Sequence, residues 1–292
     1  NDGNGNFACD WGLRCIARGA MTKIIVITDI HITSKGERII GLDPLERFKT
    51  VLHAALADHP DAAMLILMGD LTHHGRPNQY ERLWNALADC PIPVIPMVGN
   101  HDRRDAFYAS HADAPKDGGG FVQRSITLQQ HKIITLDTLN GPPYPTGHHG
   151  GQLCAARMDW LRAELEGAEG RIPLVFAHHP PFDTGIVGMD AIKLANGDQL
   201  LDLLAQYPNT HLFCGHIHRT ISGSLRGVPW TMFKSPCHQG VLDLNDPDSS
   251  LSLDEAGAYG LLILTADGVI AHSRDVGQPA PIHRDPTSGT TA

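Results

Sequence analysis

The sequence predicts an α/β protein of two packed sheets with helices outside, folded as one domain. Three observations lead there. Apolar strand-like runs alternate with helical periods over the first hundred residues, the middle of the chain turns to an antiparallel pattern, and the chain after Thr220 reads as strands and turns. Residues 23–28 (KIIVIT) are a short β-branched run and predict a buried strand. Residues 44–57 carry Leu45, Phe48, Leu52 and Leu56 at helical spacing behind Asp43, a residue type that caps helix N-termini. Residues 62–68 (AAMLILM) are a second apolar strand, 78–88 a helix with Leu83, Trp84 and Leu87 on one side, and 94–98 a third strand. A βαβαβ run of this kind predicts a largely parallel sheet with helices packed on it. Gly118, Gly119 and Gly120 end a loop, and 121–128 and 132–137 then read as two antiparallel strands. A helix over 153–167, a strand over 173–177, a helix over 197–206 and a strand over 211–214 follow. The last strands are expected at 220–225, 228–233, 259–265 and 269–273.

Composition narrows the function. The 292 residues are 42% apolar, enough for a sizeable core without disulfides. A net charge of −9 lacks the basic footprint of a nucleic-acid binder, so an anionic substrate needs positive charge from another source. Eighteen histidines hint at metal. Cys9, Cys15, Cys90, Cys154, Cys214 and Cys237 form no CxxC pair and read as free thiols or small hydrophobes. No apolar run approaches the length of a membrane span, and the N-terminus lacks a signal-peptide layout, so a cytoplasmic location is the expectation. Residues 1–20 are Gly/Asn-rich and without period, and are expected to be a disordered extension ahead of Met21; residues 276–292 are expected to be a flexible tail. The domain is then 21–275.

The chemistry-bearing residues stand just past strand ends, where α/β proteins bind ligands. Asp29 and His31 follow the first strand, Gly69-Asp70 the second, and Gly99-Asn100-His101-Asp102 the third. Ala177-His178-His179-Pro180-Pro181 and Gly215-His216-Ile217-His218 follow the later two. Each motif alone has a bland explanation: Asp and His after a strand punctuate loops, and Gly-Asn makes turns. GHxH is more pointed, because alternate residues of an extended segment share a side. All five in order, each at a strand end, are hard to reach by accident.

The series DIH, GDLT, GNHD, HHPP and GHIH, spaced 41, 30, 78 and 38 residues apart from Asp29 to His216, resembles the calcineurin-like metallophosphoesterase family over roughly residues 23–240. The gaps are similar to those of its class III cyclic nucleotide phosphodiesterase branch. The resemblance implies a four-layer α-β-β-α sandwich of two mixed sheets. It implies one metal bound by Asp29, His31, Asp70 and His218, and a second by Asp70, Asn100, His178 and His216, with Asp70 bridging. It places His101 beside the leaving oxygen. Such an enzyme hydrolyses a phosphodiester by attack of a metal-bridging hydroxide, most simply a 3′,5′ or 2′,3′ cyclic nucleotide; a glycerophosphodiesterase or phosphomonoesterase would use the same centre. A non-catalytic scaffold should have lost ligands, and this chain has lost none. Imidazole and oxygen donors without thiolate suit Mn²⁺, Fe²⁺/Fe³⁺ or Zn²⁺. Two divalent ions, two carboxylates and a hydroxide leave +1, the complement of a diester anion.

Among the neighbours, His73 and His74 are candidates to line the pocket, His179 reads as structural, and Asp102 either orients His101 or finishes a turn. His238, in 235–239, is a substrate-side candidate, and the loop 182–196 with Met189 reads as a flexible substrate rim. The expected partner is a small phosphodiester, with no nucleic-acid polymer and no membrane; oligomeric state is open, a homodimer included.

Overall fold

The computed structural model describes residues 21–111, 114, 117–144, 147 and 149–277. The elements run β1 (Thr22–Ile27), α1 (Pro44–Asp58), β2 (Met64–Met68), α2 (Pro77–Leu87), β3 (Val94–Met97), α3 (Arg104–Ser110), β4 (Arg124–Leu128), β5 (His131–Leu136), α4 (Ala155–Glu166), β6 (Ile172–Ala177), α5 (Val187–Asp190), α6 (Gly197–Leu204), β7 (His211–Cys214), β8 (Ile221–Leu225), β9 (Val228–Met232), β10 (Gln239–Gly240), β11 (Ser252–Leu253), β12 (Gly257–Thr265) and β13 (Gly268–Val276). One sheet has the order β13-β12-β1-β2-β3 and the other β4-β5-β6-β7-β9-β8, with β10 and β11 a small pair apart. Both large sheets are mixed. β1, β2 and β3 are parallel, with β12 antiparallel to β1. β5, β6, β7 and β9 are parallel, with β4 and β8 antiparallel at the edges.

Strand alternation divides the core into layers. Ile25, Ile27, Leu65 and Leu67 pack outward against Phe48 and Leu52 of α1, Tyr80 and Leu83 of α2 and Phe107 of α3. Their neighbours Ile24, Val26, Ile66 and Met68 face inward and meet Ile133, Leu174, Phe176 and Phe213 of the second sheet. That sheet's outer residues, Ile134, Leu136, Val175 and Leu212, pack on Leu161 of α4 and Leu200 and Leu204 of α6. The result is the four-layer α-β-β-α sandwich. Each side chain of this size contributes about 1.5–3 kcal/mol on full burial, so the two doubly buried parallel centres dominate the apolar stabilisation. They also form a rigid base whose strand ends carry the site.

Local chemistry explains the boundaries. Asp43 caps α1, its Oδ1 accepting from Leu45 N at 3.0 Å and Glu46 N at 3.4 Å. The expected strands are found within a few residues, but β13 runs on to Val276, and β10, β11 and α3 have no counterpart in the sequence reading. Only Phe107 marks α3's apolar side, where it meets Tyr80 and Trp84 of α2 edge-on. The loop 182–196 is tied rather than free: it contains α5, and Asp190 closes it by accepting from Thr184 N, Thr184 Oγ1 and Gly185 N. Cys90, Cys154, Cys214 and Cys237 are free thiols. Cys9, Cys15, the segment 1–20 and the chain from residue 278 lie outside the described residues. No helix among the described residues is long and apolar enough to cross a membrane.

One ionic knot joins the two outer layers. Asp137, fully buried after β5, accepts from Arg104 of α3 at 2.6 and 2.8 Å and from the backbone N–H groups of Val122 and Leu139 at 3.0 Å each. Arg157 of α4 donates to the Asp137 carbonyl at 2.7 Å, and both guanidiniums lie against the Phe121 ring. Removing the carboxylate strands two buried cations. Asp137→Ala is expected to lower the unfolding free energy by about 3–5 kcal/mol, read as a shift in the urea midpoint at unchanged slope.

Candidate metal centre

The C-terminal ends of β1, β2, β3, β6 and β7 converge, and each delivers polar side chains from the residues that follow it. The backbone there is unusual. Asp29, His31, Asp70, His216 and His218 all have positive φ, between 47° and 72°. A non-glycine residue in this region costs about 1–3 kcal/mol. Five such residues rival the whole stability of a domain, about 5–15 kcal/mol, so the surroundings must over-determine them. They do so by hydrogen bonds between loops. His31 N donates to Asp70 O at 2.8 Å, His216 N to Asp29 Oδ1 at 2.9 Å, and Ser235 Oγ to Asp29 O at 2.7 Å. Gly99 is required by contact: a Cβ there would stand 2.3 Å from Asp70 Oδ1.

Asp70 is the centre of the arrangement. Its Oδ1 accepts from His101 N at 2.8 Å, and its Oδ2 lies 3.5 Å from His31 Nε2 and 3.3 Å from His178 Nε2. On one side, Asp29, His31, Asp70 and His218 bring four buried donor atoms within 4.8 Å of one another. On the other, His178 Nε2 is 3.2 Å from Asn100 Oδ1, and the nearby His216 Nε2 is buried with no hydrogen-bond partner among the described residues. An orphaned imidazole nitrogen beside a carboxylate is what a missing cation would satisfy. His179 is no alternative donor, since its Nδ1 is bonded to Thr138 Oγ1 at 2.7 Å and its Nε2 to the His149 carbonyl at 3.0 Å.

Tautomers are set from behind. His178 Nδ1 donates to Met68 O at 3.0 Å and His218 Nδ1 to His238 O at 2.9 Å, which turns both Nε2 atoms to the centre, where a cation would take the place of the Nε2 proton. Burial opposes charge on His178, yet Asp70 and then Asp29 push its pKa up to about 9. Burial likewise opposes charge on His218, and Asp29 raises it. His31 and His216 are held well below the ordinary imidazole value, by burial and then by neighbouring histidines. The carboxylates therefore draw positive charge to their Nε2 side, while the remaining imidazoles stay neutral and able to ligate.

His31, Asp70, Asn100, His216 and His218 line a cavity of about 280 Å³, together with the apolar Ile39, Ile40, Met189, Ile192 and Leu251 and with Ser249, Ser250 and Ser252. None of the described residues lining it is lysine or arginine. His101 lines it too, its Nδ1 donating to His73 O at 2.9 Å, which turns Nε2 to the cavity as an acceptor in the neutral ring and as a proton donor in the imidazolium.

The sequence profile described as calcineurin-like phosphoesterase matches residues 22–220. The chain belongs to the calcineurin-like phosphoesterase family. It is 40% identical over 252 residues to a probable cyclic nucleotide phosphodiesterase of Rhodopseudomonas palustris, covering 86% of this chain and 91% of that one. It is 29% identical over 259 residues to the 3′,5′-cyclic adenosine monophosphate phosphodiesterase CpdA of Escherichia coli, covering 87% and 90%. Among solved structures, a dimetal phosphatase from Danio rerio superimposes with a TM-score of 0.66 at 16% identity, over 87% of this chain and 96% of that one. That likeness is one of fold.

In this calcineurin-like phosphoesterase the fold brings Asp29, His31, Asp70, Asn100, His101, His178, His216 and His218 to one place. Met189 and His238 line the cavity as well. His74 does not: its N–H donates to Gln79 Oε1 and its ring packs on His73, which is the one lining the cavity. Asp102 does not touch His101. Its carboxylate accepts from Leu71 N, Thr72 N, Thr72 Oγ1, Gly99 N and Tyr80 Oη, lacing the loops after β2 and β3 together. Burial, then Asp70, push its pKa up to about 6. The sequence reading missed His149, whose Nδ1 lies 3.0 Å from Asn100 Nδ2. The doubled histidine between glycines over 147–150 was the available signal.

These pKa shifts predict a pH dependence for the metal-free protein. His31, His179 and His216 have folded pKa values well below 6.5, so their stabilisation is present above pH 6.5 and lost as pH falls. His178, up at about 9, contributes stabilisation that is complete below pH 6.5 and lost as pH rises through 9. Stability in chelator should peak near the ordinary histidine pKa of about 6.5 and fall on both sides, by up to about 1.4 kcal/mol per pH unit for each histidine. Urea unfolding at acid, neutral and mildly alkaline pH reads this; a monotonic dependence would contradict it.

Proposed function

We propose that the protein hydrolyses a cyclic nucleotide, 3′,5′-cyclic AMP foremost, with the aid of two divalent ions. Asp29, His31, Asp70 and His218 would hold one ion, and Asp70, Asn100, His178 and His216 the other. The observation that carries the reading is Asp70 Oδ2 standing between His31 and His178, one imidazole from each set, with the His216 nitrogen unpartnered beside them. Neutral imidazoles with oxygen donors and no thiolate favour Mn²⁺ or iron, with Zn²⁺ next. Bound there, such ions would lower the pKa of water toward neutrality and neutralise charge on phosphoryl oxygens. With no lysine or arginine among the described residues that line the cavity, that neutralisation falls to the ions, and two carboxylates set against them suit a monoanionic diester. The names of the two relatives support a cyclic nucleotide, and so does a cavity whose lining offers the polar cluster to a phosphate and Ile39, Ile40, Met189, Ile192 and Leu251 to a base.

The chain's own residues do the rest. The backbone N–H of His101 fixes the Asp70 carboxylate, and the Met68 and His238 carbonyls aim His178 and His218. His101, as an imidazolium, would supply the Nε2 proton to the leaving ribose oxygen and be left neutral, its ring held by the Nδ1–H bond to the His73 carbonyl. Met189 and Leu251 would exclude water from the base side.

With Mn²⁺ added, the protein should turn over cyclic AMP and bis-p-nitrophenyl phosphate well ahead of p-nitrophenyl phosphate. Preference for glycerophosphocholine over both cyclic AMP isomers would replace the cyclic nucleotide with a glycerophosphodiester, and inertness on every diester would end the reading. The role of His101 is separable. His101→Ala should cost about 10²–10⁴-fold in kcat on cyclic AMP and far less on the p-nitrophenyl diester, whose leaving group needs no proton. Equal losses on both substrates would leave His101 only bracing its neighbours.

A further inference from the structure

His149 stands at the edge of the cavity, half-buried, in a segment that none of the five motifs includes. Asn100 Nδ2 lies 3.0 Å from its Nδ1, while Asn100 Oδ1 faces His178 Nε2 at 3.2 Å. A carboxamide NH₂ only donates. His149 Nδ1 must therefore accept, and the proton of the neutral ring belongs on Nε2. This matters because the two orientations of an asparagine carboxamide have nearly the same shape, and only one of them can ligate a cation. Turned over, Asn100 would present N–H groups to the centre and set its oxygen against the His149 lone pair. With the ring proton on Nε2 the imidazole favours the observed orientation, and the flipped one requires that proton to move to Nδ1.

The ring is itself fixed. It lies flat on His101, centroids 4.9 Å apart and planes 22° apart, and His101 lies flat on His73 at 5.1 Å and 13°. The bond that residue 149 accepts from His179 Nε2 at 3.0 Å belongs to its backbone carbonyl and survives replacement of the side chain. We propose that His149 is a positioning residue that holds Asn100 with its oxygen turned toward the second ion. This rests on the reading that Asn100 is a ligand of that ion.

The test is equilibrium Mn²⁺ binding, measured by competition with a chelator, for His149→Ala, His149→Asn, His149→Gln and Asn100→Ala. An asparagine at 149 can place Oδ1 where Nδ1 stands; a glutamine reaches instead toward the Nε2 position. His149→Ala should weaken one of the two ions by about 10–100-fold, the usual effect of losing a residue that orients a metal ligand, and leave the other unchanged. His149→Asn should recover most of that loss and His149→Gln should not. Asn100→Ala sets the scale by weakening the same ion at least as much. Wild-type binding in His149→Ala beside weakened binding in Asn100→Ala, or no recovery in His149→Asn, overturns the positioning role alone. Wild-type binding in Asn100→Ala overturns the ligand reading, and the positioning role with it. Melting temperatures of the four metal-free variants separate a folding defect, which would affect both ions together.

Discussion

The structure turns on one buried carboxylate. Asp70 is buried, only 1% exposed, and an isolated charge there would cost several kcal/mol. Its pKa is nevertheless held well below the usual carboxylate range: burial opposes ionisation, but His178 and His101 outweigh it. Each of its neighbours is placed by a different strand of the sandwich. His31 comes from β1, His101 from β3 and His178 from β6, so the carboxylate is satisfied only when both sheets are packed face to face. The inter-sheet core of Ile24, Met68, Phe176 and Phe213 therefore sets the precision of the site as well as the stability of the protein.

That dependence explains where strain is tolerated. Left-handed residues cluster at the loops after β1, β2 and β7 because those loops are tied to one another rather than to solvent. Asp102, with five donors on one carboxylate, is the chief of these ties and costs nothing in the cavity itself. Its placement beside Asp70 raises its pKa, a cost accepted for joining two loops that carry Asp70, Asn100 and His101.

Much of this could be read from the sequence. The strands were legible because both sheets have parallel, doubly buried centres, which leave continuous apolar runs such as IIVI and MLILM. The donors were legible because each follows one of those runs at once. What escaped has a common physical cause: its partners are distant in the chain. α3 is seven residues long with Phe107 as its main apolar anchor, and it is held by Arg104 reaching Asp137 thirty-three positions away. His149 acquires meaning only through Asn100, forty-nine positions before it. His73 and His74 are indistinguishable as letters; His73 lines the cavity, while the backbone of His74 is tied to Gln79 of α2.

The pairing of β1 with β12 has a consequence for how the chain comes into being. Val26 sits opposite Gly260, so the central strand of the first sheet gains its second neighbour from almost the far end of the sequence. On a ribosome adding roughly 5–20 residues per second, β1 emerges on the order of ten to fifty seconds before that neighbour does. Through that interval it has an open edge and a run of isoleucines, the makings of an adhesive strand. Contacts of such long sequence separation also slow the closing step itself. The interval between first strand and last, rather than the strength of the finished core, sets how long a nascent chain is exposed to wrong partners.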